Sequence, residues 1–334
     1  MKEAIQQDDN WRAAGHRYHP YGFAMRRRFG QRVQKVSIDA GFTCPNVDGT
    51  VAVGGCVFCD NRSFSPSRRV PRTNVAAQID EGIRNLQRRY RVKQFIAYFQ
   101  PATNTYAPAK QLRTLFEEAL RHDQVVGLAV GTRPDCVEED VLDLLTELAE
   151  RTYVSVEYGM QTMHDRSLKW MNRGCTHAAM IDAVDRSRGR GFGISAHIIL
   201  GLPGESEEDM HATAYEVARL GVDGIKLHNL YVVKNTPLAD QLASGALTLI
   251  DRGQYVRMVV DFLERLPGDC VVERLSGDAP PDYFIAPTWC LEKTAVQKAI
   301  DAEIERRDTW QGRLYQGEER ASESIEFHPC SKIE

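Results

Sequence analysis

The chain has 334 residues, of which 43% are apolar and 26% are charged, a composition that excludes a disordered protein and predicts one large globular domain with appendages. No run of about 18 apolar residues occurs, and the first residues carry charges where a signal peptide needs an apolar segment, so we expect a cytoplasmic protein with no membrane contact. The net charge is −4, yet the first 93 residues hold 17 Lys and Arg against 8 Asp and Glu, which suggests either a polyanion-binding surface or solvated helix faces.

Short apolar runs rich in β-branched and aromatic residues recur along the chain after a polar N-terminal segment. Such nearly continuous runs are typical of strands that are buried on both faces of a parallel sheet. Six of them predict strands over residues 33–40, 94–100, 125–132, 152–159, 193–201 and 224–233.

Amphipathic stretches with a period near 3.6 residues separate the predicted strands. The last of them begins at Ser206, has acidic residues in its first turn and stops at Gly221, which are the expected end signals of a helix. This alternation predicts an α/β fold whose parallel sheet curls into a partial (β/α)6 TIM-type barrel through right-handed crossovers. The predicted helices lie within residues 74–90, 108–123, 135–151, 175–191 and 206–221.

The pattern changes after residue 238, where a helix, a strand and a second helix predict a C-terminal α/β cap on the barrel. These three elements are expected within residues 251–266, 271–277 and 291–307. The predicted organisation is an N-terminal arm over 1–32, a core over 33–238, a cap over 239–318 and a loose tail over 319–334.

Three of the eight cysteines cluster as C-x11-C-x2-C around a glycine-rich loop: Cys44, Cys56 and Cys59. They follow the first predicted strand, at the carboxyl end of the sheet, where parallel α/β architectures place their active sites. Structural zinc needs four ligands, and no second C-x2-C pair exists, while His16 and His19 lie upstream without a supporting motif. A [4Fe–4S] cluster on three thiolates would leave one iron open to a small molecule, since such clusters normally take four cysteines.

The cysteine motif and its surroundings resemble the radical S-adenosylmethionine (SAM) superfamily. The usual spacing there is C-x3-C-x2-C, and the longer first gap of this chain matches the YhcC/YtqA-type subfamily, which is related to the coproporphyrinogen oxidase and elongator catalytic-subunit groups. The resemblance runs from about residue 17 to about residue 312. The blocks that carry it are KVSIDAGFTCPNVDGTVAVGGCVFC, IAYFQPATNTY, GTRPDC, EYGMQT, HIILGLPGE, IKLHNLYVVKNTPLA and RLSGDAPP.

The resemblance implies a [4Fe–4S] cluster held by the three clustered cysteines, with SAM on its open iron. Reductive cleavage of SAM then yields a 5′-deoxyadenosyl radical that removes hydrogen from a substrate. The chemistry also implies an electron donor such as flavodoxin or ferredoxin.

Residues on the SAM side follow from the same resemblance. Gln161 and Arg173 have the spacing of residues that contact SAM in the coproporphyrinogen oxidase group, although Arg173 could instead form a salt bridge on the following helix. Phe58, between two of the cysteines, is expected near the adenine or in ordinary packing. Arg133 ends the third predicted strand, where related groups place ligand-binding residues.

Two further cofactor-binding predictions rest on position within strands. Glu157 is a carboxylate in an apolar run, so it must bind a ligand or pair with Arg133 or Arg173. Gly201 and Gly204 close the fifth predicted strand and are expected near the adenine, although turns need glycine in any case.

The candidates for the substrate side are polar residues at strand ends within otherwise apolar stretches. His197 and His228 are the proposed catalytic pair, and Gln100 is the candidate that we expect to touch the cofactor. For each residue the alternative is a satisfied core or loop position. The full set is Gln100, Thr103, Tyr106, His197, Lys226 and His228.

Three functions are consistent with the sequence. The leading hypothesis is a radical enzyme acting on a tRNA base, because the elongator-type relatives are tied to wobble-uridine side chains and the first 93 residues are basic. The second keeps the radical chemistry and changes the substrate to a small molecule or peptide. The third is a non-catalytic iron–sulfur binding or redox-sensing protein. The arginines that would track phosphates are Arg26, Arg27, Arg28, Arg68, Arg69, Arg72, Arg88, Arg89 and Arg91.

Overall fold

A computed structural model describes residues 10–317, and the predicted tail over 319–334 lies outside that range. Its main feature is a seven-stranded parallel sheet with the strand order β1-β2-β3-β4-β5-β6-β8. A small antiparallel pair, β7 with β9, lies beside it. The strands are β1 Val33–Ile38, β2 Gln94–Phe99, β3 Val125–Thr132, β4 Tyr153–Gln161, β5 Gly193–Leu200, β6 Gly224–Asn229, β7 Val232–Val233, β8 Val271–Arg274 and β9 Phe284–Ala286.

The sheet is curled into a partial barrel, as its two edge strands demonstrate. Lys35 Nζ on β1 lies 2.6 Å from Glu273 Oε2 on β8, so the edges approach each other across the interior. The five strands between these edges, β2 to β6, are nearly continuous in buried residues, which agrees with the pattern that predicted them. The predicted partial TIM-type barrel is confirmed.

Helices cover the outer face of the sheet and bury its apolar side chains in one large core. The five predicted helices of the barrel are present, and Ser206 and Asp209 form a capping box at the start of α8, which ends before Gly221 at φ 65°. The helices are α1 Tyr21–Phe29, α2 Asn61–Phe64, α3 Val75–Tyr90, α4 Ala109–Leu120, α5 Glu139–Ala149, α6 Asp165–Trp170, α7 His177–Ser187, α8 Glu207–Leu220, α9 Pro237–Ala243, α10 Arg252–Arg265 and α11 Lys293–Arg306. No helix within residues 10–317 is long and apolar enough to cross a membrane.

Both ends of the chain contribute to the barrel itself. Strand β8 comes from the predicted cap and pairs in parallel with β6, so the sheet has one strand more than the six that we predicted. Helix α1 comes from the predicted arm and packs against both β1 and β8. It therefore fills the gap between the two edge strands, and Pro20 just before it pairs with Val272.

Candidate active site

A cavity of about 680 Å³ opens at the carboxyl ends of the strands. It brings together most of the residues singled out from the sequence, which belong to separate strands and loops of the chain. The predicted residues in its wall are Cys44, Cys56, Phe58, Cys59, Gln100, Thr103, Arg133, Glu157, Gln161, Arg173, His197, Lys226 and His228.

The loop that carries the three cysteines is held by hydrogen bonds within itself and to neighbouring segments. Cys59 N donates to Cys56 O at 3.0 Å, which forms the tight turn between the last two cysteines. Thr103 Oγ1 donates to Cys44 Sγ at 3.1 Å, and Asn46 Nδ2 donates to Cys56 Sγ at 3.2 Å. The three sulfur atoms therefore face one cavity, and at least two of them already receive a polar donor.

The electrostatics of these thiols suit a metal-bound thiolate rather than a free one. Burial raises the pKa of both Cys44 and Cys59, so each thiol would stay protonated without a metal. Arg173 Nη1 donates to Cys56 Sγ at 3.7 Å. Within residues 10–317 no three His, Cys, Asp or Glu side chains are arranged to hold a single metal ion. An iron–sulfur cluster does not need such a group, because each of its thiolates binds a separate iron. Three thiols with polar donors to their sulfurs fit an iron–sulfur cluster.

Beside the cysteines, two donors converge over a glycine of β4. A Cβ atom on Gly159 would lie 2.6 Å from Arg173 Nη2 and 2.8 Å from Gln161 Nε2, so only glycine leaves room for both. Arg173 Nη2 donates to Gly159 O. The Nε atom of Arg173 is buried and has no partner among the described residues. The salt bridge considered for Arg173 is absent within this part of the chain, which leaves its guanidinium suited to a carboxylate or hydroxyl ligand.

Arg133 supports the position of Arg173 through a contact with its backbone. Its guanidinium is buried, forms a bidentate pair with Asp135, and donates from Nη1 to Arg173 O at 2.7 Å. Burial alone would lower the pKa of Arg133. The neighbouring Asp135 carboxylate has the larger effect and raises that pKa above its ordinary value. Arg133 thus contacts the backbone of Arg173, and its own side chain is already paired.

Glu157 is the centre of a charged layer inside the barrel, and its partners differ from those that we predicted. Its carboxylate pairs with Lys35 at 2.6 Å and with Lys226, and not with Arg133 or Arg173. Sequence reasoning assigned the wrong partners because Lys35 lies 122 residues upstream, on the far edge of the curled sheet.

Further contacts complete the layer around Glu157. Tyr98 Oη donates to it at 2.6 Å, and His197 Nε2 lies 3.0 Å from the same oxygen. Burial would raise the pKa of Glu157, but the two lysines hold it well below its ordinary value. Burial lowers the pKa of Lys226 to about 8, although Glu157 opposes that shift.

The sequence analysis missed three members of this layer: Lys35, Tyr98 and Glu273. Glu273 pairs with Lys35 at 2.6 Å and accepts from Ser195. Lys35 lies in β1, VQKVSI, and Glu273 lies in β8, VVER, where half of the residues are polar, so the signal that singled out Glu157 is weaker for both.

On the substrate side, His197 and His228 lie with ring centroids 5.6 Å apart. Burial lowers the pKa of both imidazoles, and nearby positive charges add to the effect, Lys226 for His197 and Arg274 for His228. Both rings are therefore neutral near pH 7. Gln100 accepts from Ser37 and is a wall residue held by the protein.

Three residues predicted for the cofactor or substrate side are not in the cavity wall: Gly201, Gly204 and Tyr106. Gly201 adopts φ 82°, and a Cβ there would lie 2.6 Å from Ile250 Cδ1, so its neighbour in the structure is an apolar side chain. Tyr106 donates from its hydroxyl to Thr50 Oγ1 at 2.9 Å, on the cysteine loop. Its role here is to bridge that loop to the segment after β2.

The basic residues of the first 93 fall on two opposite faces. Arg68 lines the cavity and pairs with Asp39 at 2.9 Å. Arg28 instead lies over the ring of Tyr153, the first residue of β4, at the amino ends of the strands. Arg88, Arg89 and Arg91 also lie at that end, because they close α3 just before β2 begins.

The chain matches two family models and is similar to known proteins in sequence and in fold. A model of the Radical SAM superfamily matches residues 50–216, and a model of the Radical_SAM C-terminal domain matches residues 222–306. The chain is 40% identical to YtqA of Bacillus subtilis over 92% of its own length and 95% of that protein. It is 27% identical to a tRNA uridine(34) acetyltransferase of Dehalococcoides mccartyi over 53% of this chain and 38% of that one. Among solved structures, archaeal Methanocaldococcus infernus Elp3 superposes with a TM-score of 0.64 at 15% identity, over 84% of this chain and 64% of that one, which supports the fold.

Proposed function

The chain belongs to the radical SAM superfamily, and from that premise we propose that it is an enzyme whose cavity joins a [4Fe–4S] cluster and SAM to a tRNA base. When bound, the cluster and SAM supply an electron and a 5′-deoxyadenosyl radical, which removes a hydrogen atom from an unactivated carbon. The observation that carries the proposal is that the three thiols, the Arg173 and Gln161 donors, and the histidine wall all face one cavity.

The residues on one side of the cavity would hold the cofactors. Cys44, Cys56 and Cys59 are the proposed cluster ligands, and the donors that already reach two of their sulfurs would stabilise the thiolates. Arg173, with Gln161 beside it, would bind the SAM carboxylate or ribose hydroxyls through atoms that have room only because residue 159 is glycine.

Three further residues complete the proposed cofactor side. Phe58 lines the cavity between two cysteines, where it would pack near the adenine. Arg133 acts as a positioning residue, because it holds the backbone of Arg173. Gly201 stays a prediction as an adenine contact.

The opposite side of the cavity would receive the substrate. His197 and His228 are neutral near pH 7, so they can donate or accept hydrogen bonds to an uncharged base edge. The tRNA assignment is supported by the sequence similarity to the tRNA uridine(34) acetyltransferase and by the basic segment around Arg68 at the mouth of the cavity. A side chain on such a base offers the unactivated carbon that radical chemistry suits. An electron-donating protein such as flavodoxin or ferredoxin would supply the reduced cluster.

The test is release of 5′-deoxyadenosine by anaerobically reconstituted protein with SAM and a strong reductant, with and without bulk tRNA. We expect release that rises with tRNA and that Cys56→Ala abolishes. Release without a tRNA effect would move the substrate to a small molecule or peptide. No release from a loaded and reducible cluster would favour an iron–sulfur binding or redox-sensing protein.

A further inference from the structure

Arg274 is an exposed positive charge at the edge of the cavity. It ends β8, lies opposite Lys226 in the register with β6, and lines the cavity wall. It forms no hydrogen bond or ion pair with any residue between 10 and 317. The buried charges next to it already balance, since two lysines face Glu157 and Glu273. The cavity end formed by β6 and β8 therefore has an excess of one positive charge.

His228 adds an unused polar atom at the same place. Its Nε2 is buried and has no partner among the described residues, although a buried polar atom normally has one. The ring lies close to the backbone of Gly277, since a Cβ there would lie 2.8 Å from His228 Nδ1. The N–H of Gly277 donates to Asn229 Oδ1 at 2.9 Å. A neutral imidazole and a guanidinium on the same cavity wall are a suitable pair of donors for an anionic oxygen.

We propose that Arg274 and His228 form an anion subsite that binds a carboxylate or phosphate group of the substrate. The inference rests on the proposed function in one respect: it takes this cavity as the place where SAM and the substrate meet. It adds that the substrate carries an anionic group at the end of the cavity formed by β6 and β8.

The anionic group could be a carboxylate of the substrate or a backbone phosphate of a nucleic acid, and the two would contact different residues. A second cavity of about 370 Å³ shares Arg274 and is lined by Lys293 and Lys298 with no acidic residue in its wall. A carboxylate on the substrate would bind from the main cavity and use His228. A backbone phosphate of a nucleic acid would bind from the outer cavity and use the two lysines, of which Lys293 also pairs with Asp278.

The experiment measures anion binding by the cluster-loaded protein with saturating SAM and no reductant. SAM then fills its own side, and no turnover occurs. Inorganic phosphate and acetate are titrated separately, and the apparent dissociation constant is taken from the rise in thermal midpoint. We expect saturable stabilisation of the wild type and an affinity at least about tenfold weaker in Arg274→Gln, as is typical for loss of a charge-assisted hydrogen bond. Arg274→Lys should restore part of it.

The matched control is Arg252→Gln, which removes an exposed arginine that pairs with Glu292 outside both cavities. A loss in His228→Asn with retention in Lys293→Gln/Lys298→Gln would assign the group to a substrate carboxylate. The reverse pattern would place the anion in the outer cavity with Lys293 and Lys298 and would overturn the part that we assign to His228. Unchanged binding in Arg274→Gln, equal weakening in Arg252→Gln, or no saturable effect in the wild type would overturn the inference. None of these measurements uses tRNA or turnover, so the subsite and the tRNA hypothesis fail or hold independently.

Discussion

The carboxylate of Glu157 has four protein donors, which come from four different strands of the barrel. Its side chain is buried, so neither water nor salt screens its two lysine partners effectively. A buried ion pair of this kind adds little net stability over an apolar packing, but the loss of one member leaves the others charged and unpaired. Glu157 is therefore the residue on which the interior charges of the barrel depend.

We expect Glu157→Gln to lower the free energy of unfolding by about 3 kcal/mol or more, because Lys35 and Lys226 would lose one of their two buried counter-ions and would be left to share Glu273. The control is Arg113→Gln, which removes an exposed pair with Glu147 and should cost about 1 kcal/mol at most. Anaerobic denaturant unfolding of the cluster-loaded proteins gives both values. A cost for Glu157→Gln as small as that of the control would mean that the interior charges are not coupled.

His228 predicts a pH dependence of stability. Burial, with Arg274 next, holds the pKa of His228 well below its ordinary value of 6.5 in the folded protein. Below about pH 6.5 the unfolded chain therefore binds a proton that the folded chain does not, so stability falls as the pH falls. The contribution of one such group is up to about 1.4 kcal/mol per pH unit.

The measurement is the free energy of unfolding of the wild type and of His228→Asn between about pH 7 and pH 5. We expect the wild type to lose more stability on acidification than the variant does. Parallel pH profiles would mean that His228 takes up its proton as readily in the folded state as in the unfolded chain.

Sequence reasoning at the level of residues was strongest where one local signal sufficed. A polar residue inside an apolar strand singled out Glu157, His197, Lys226 and His228, and all four line the cavity. The same reasoning could not name the partners of Glu157, because Lys35 becomes its neighbour only when the sheet curls. Contacts across a barrel depend on curvature, which no short stretch of sequence encodes.

At the level of elements, the strands and helices of the barrel were predictable because each is long or continuously apolar. Helix α1 was not predicted, because three of its nine residues are arginines and only Met25 is buried. Strand β8 was predicted as a strand but placed in the cap, since a short strand and two helices intervene between it and its parallel partner β6. The error thus concerned the pairing of β8 and not its existence.

The turn after β5 gives a prediction about Gly201. Alanine there would strain the backbone at φ 82° and would press on Ile250, whose Cδ1 lies 2.6 Å from the added Cβ. Gly204 has φ 78° and open space around it, so Gly204→Ala carries the backbone strain alone, about 1 kcal/mol. We expect Gly201→Ala to lower the free energy of unfolding by more than Gly204→Ala does.

A double-mutant cycle with Ile250→Ala identifies the cause of that difference. If the contact with Ile250 is responsible, the double variant should be more stable than the sum of the single changes predicts. Additive losses would leave the packing explanation without support. SAM affinity, measured on the same four proteins, tests the predicted adenine contact separately from stability.

For the whole molecule, the charge asymmetry along the sequence does not translate into one basic surface. Helices end at the amino ends of the strands, so Arg88 and Arg89 at the end of α3 lie on the face away from the cavity. Arg69 follows a cavity-lining residue, and the guanidinium of Arg72 lies over Gly41, just after the carboxyl end of β1. The sequence revealed the excess of charge, and only the barrel topology divides it between two faces.

This division yields a matched test of the tRNA hypothesis. Arg69→Gln/Arg72→Gln and Arg88→Gln/Arg89→Gln remove the same charge from exposed positions on opposite faces. If tRNA reaches the cavity, only the Arg69→Gln/Arg72→Gln substitutions should weaken binding. They should also reduce the slope of log affinity against log salt concentration by roughly 1.4 to 1.8, which corresponds to two fewer released counter-ions. Filter binding of bulk tRNA across a salt series provides the slopes. Equal losses of affinity from both faces would indicate attraction to the overall charge. A larger loss from Arg88→Gln/Arg89→Gln would place tRNA on the face away from the cysteines, where radical chemistry on it could not occur.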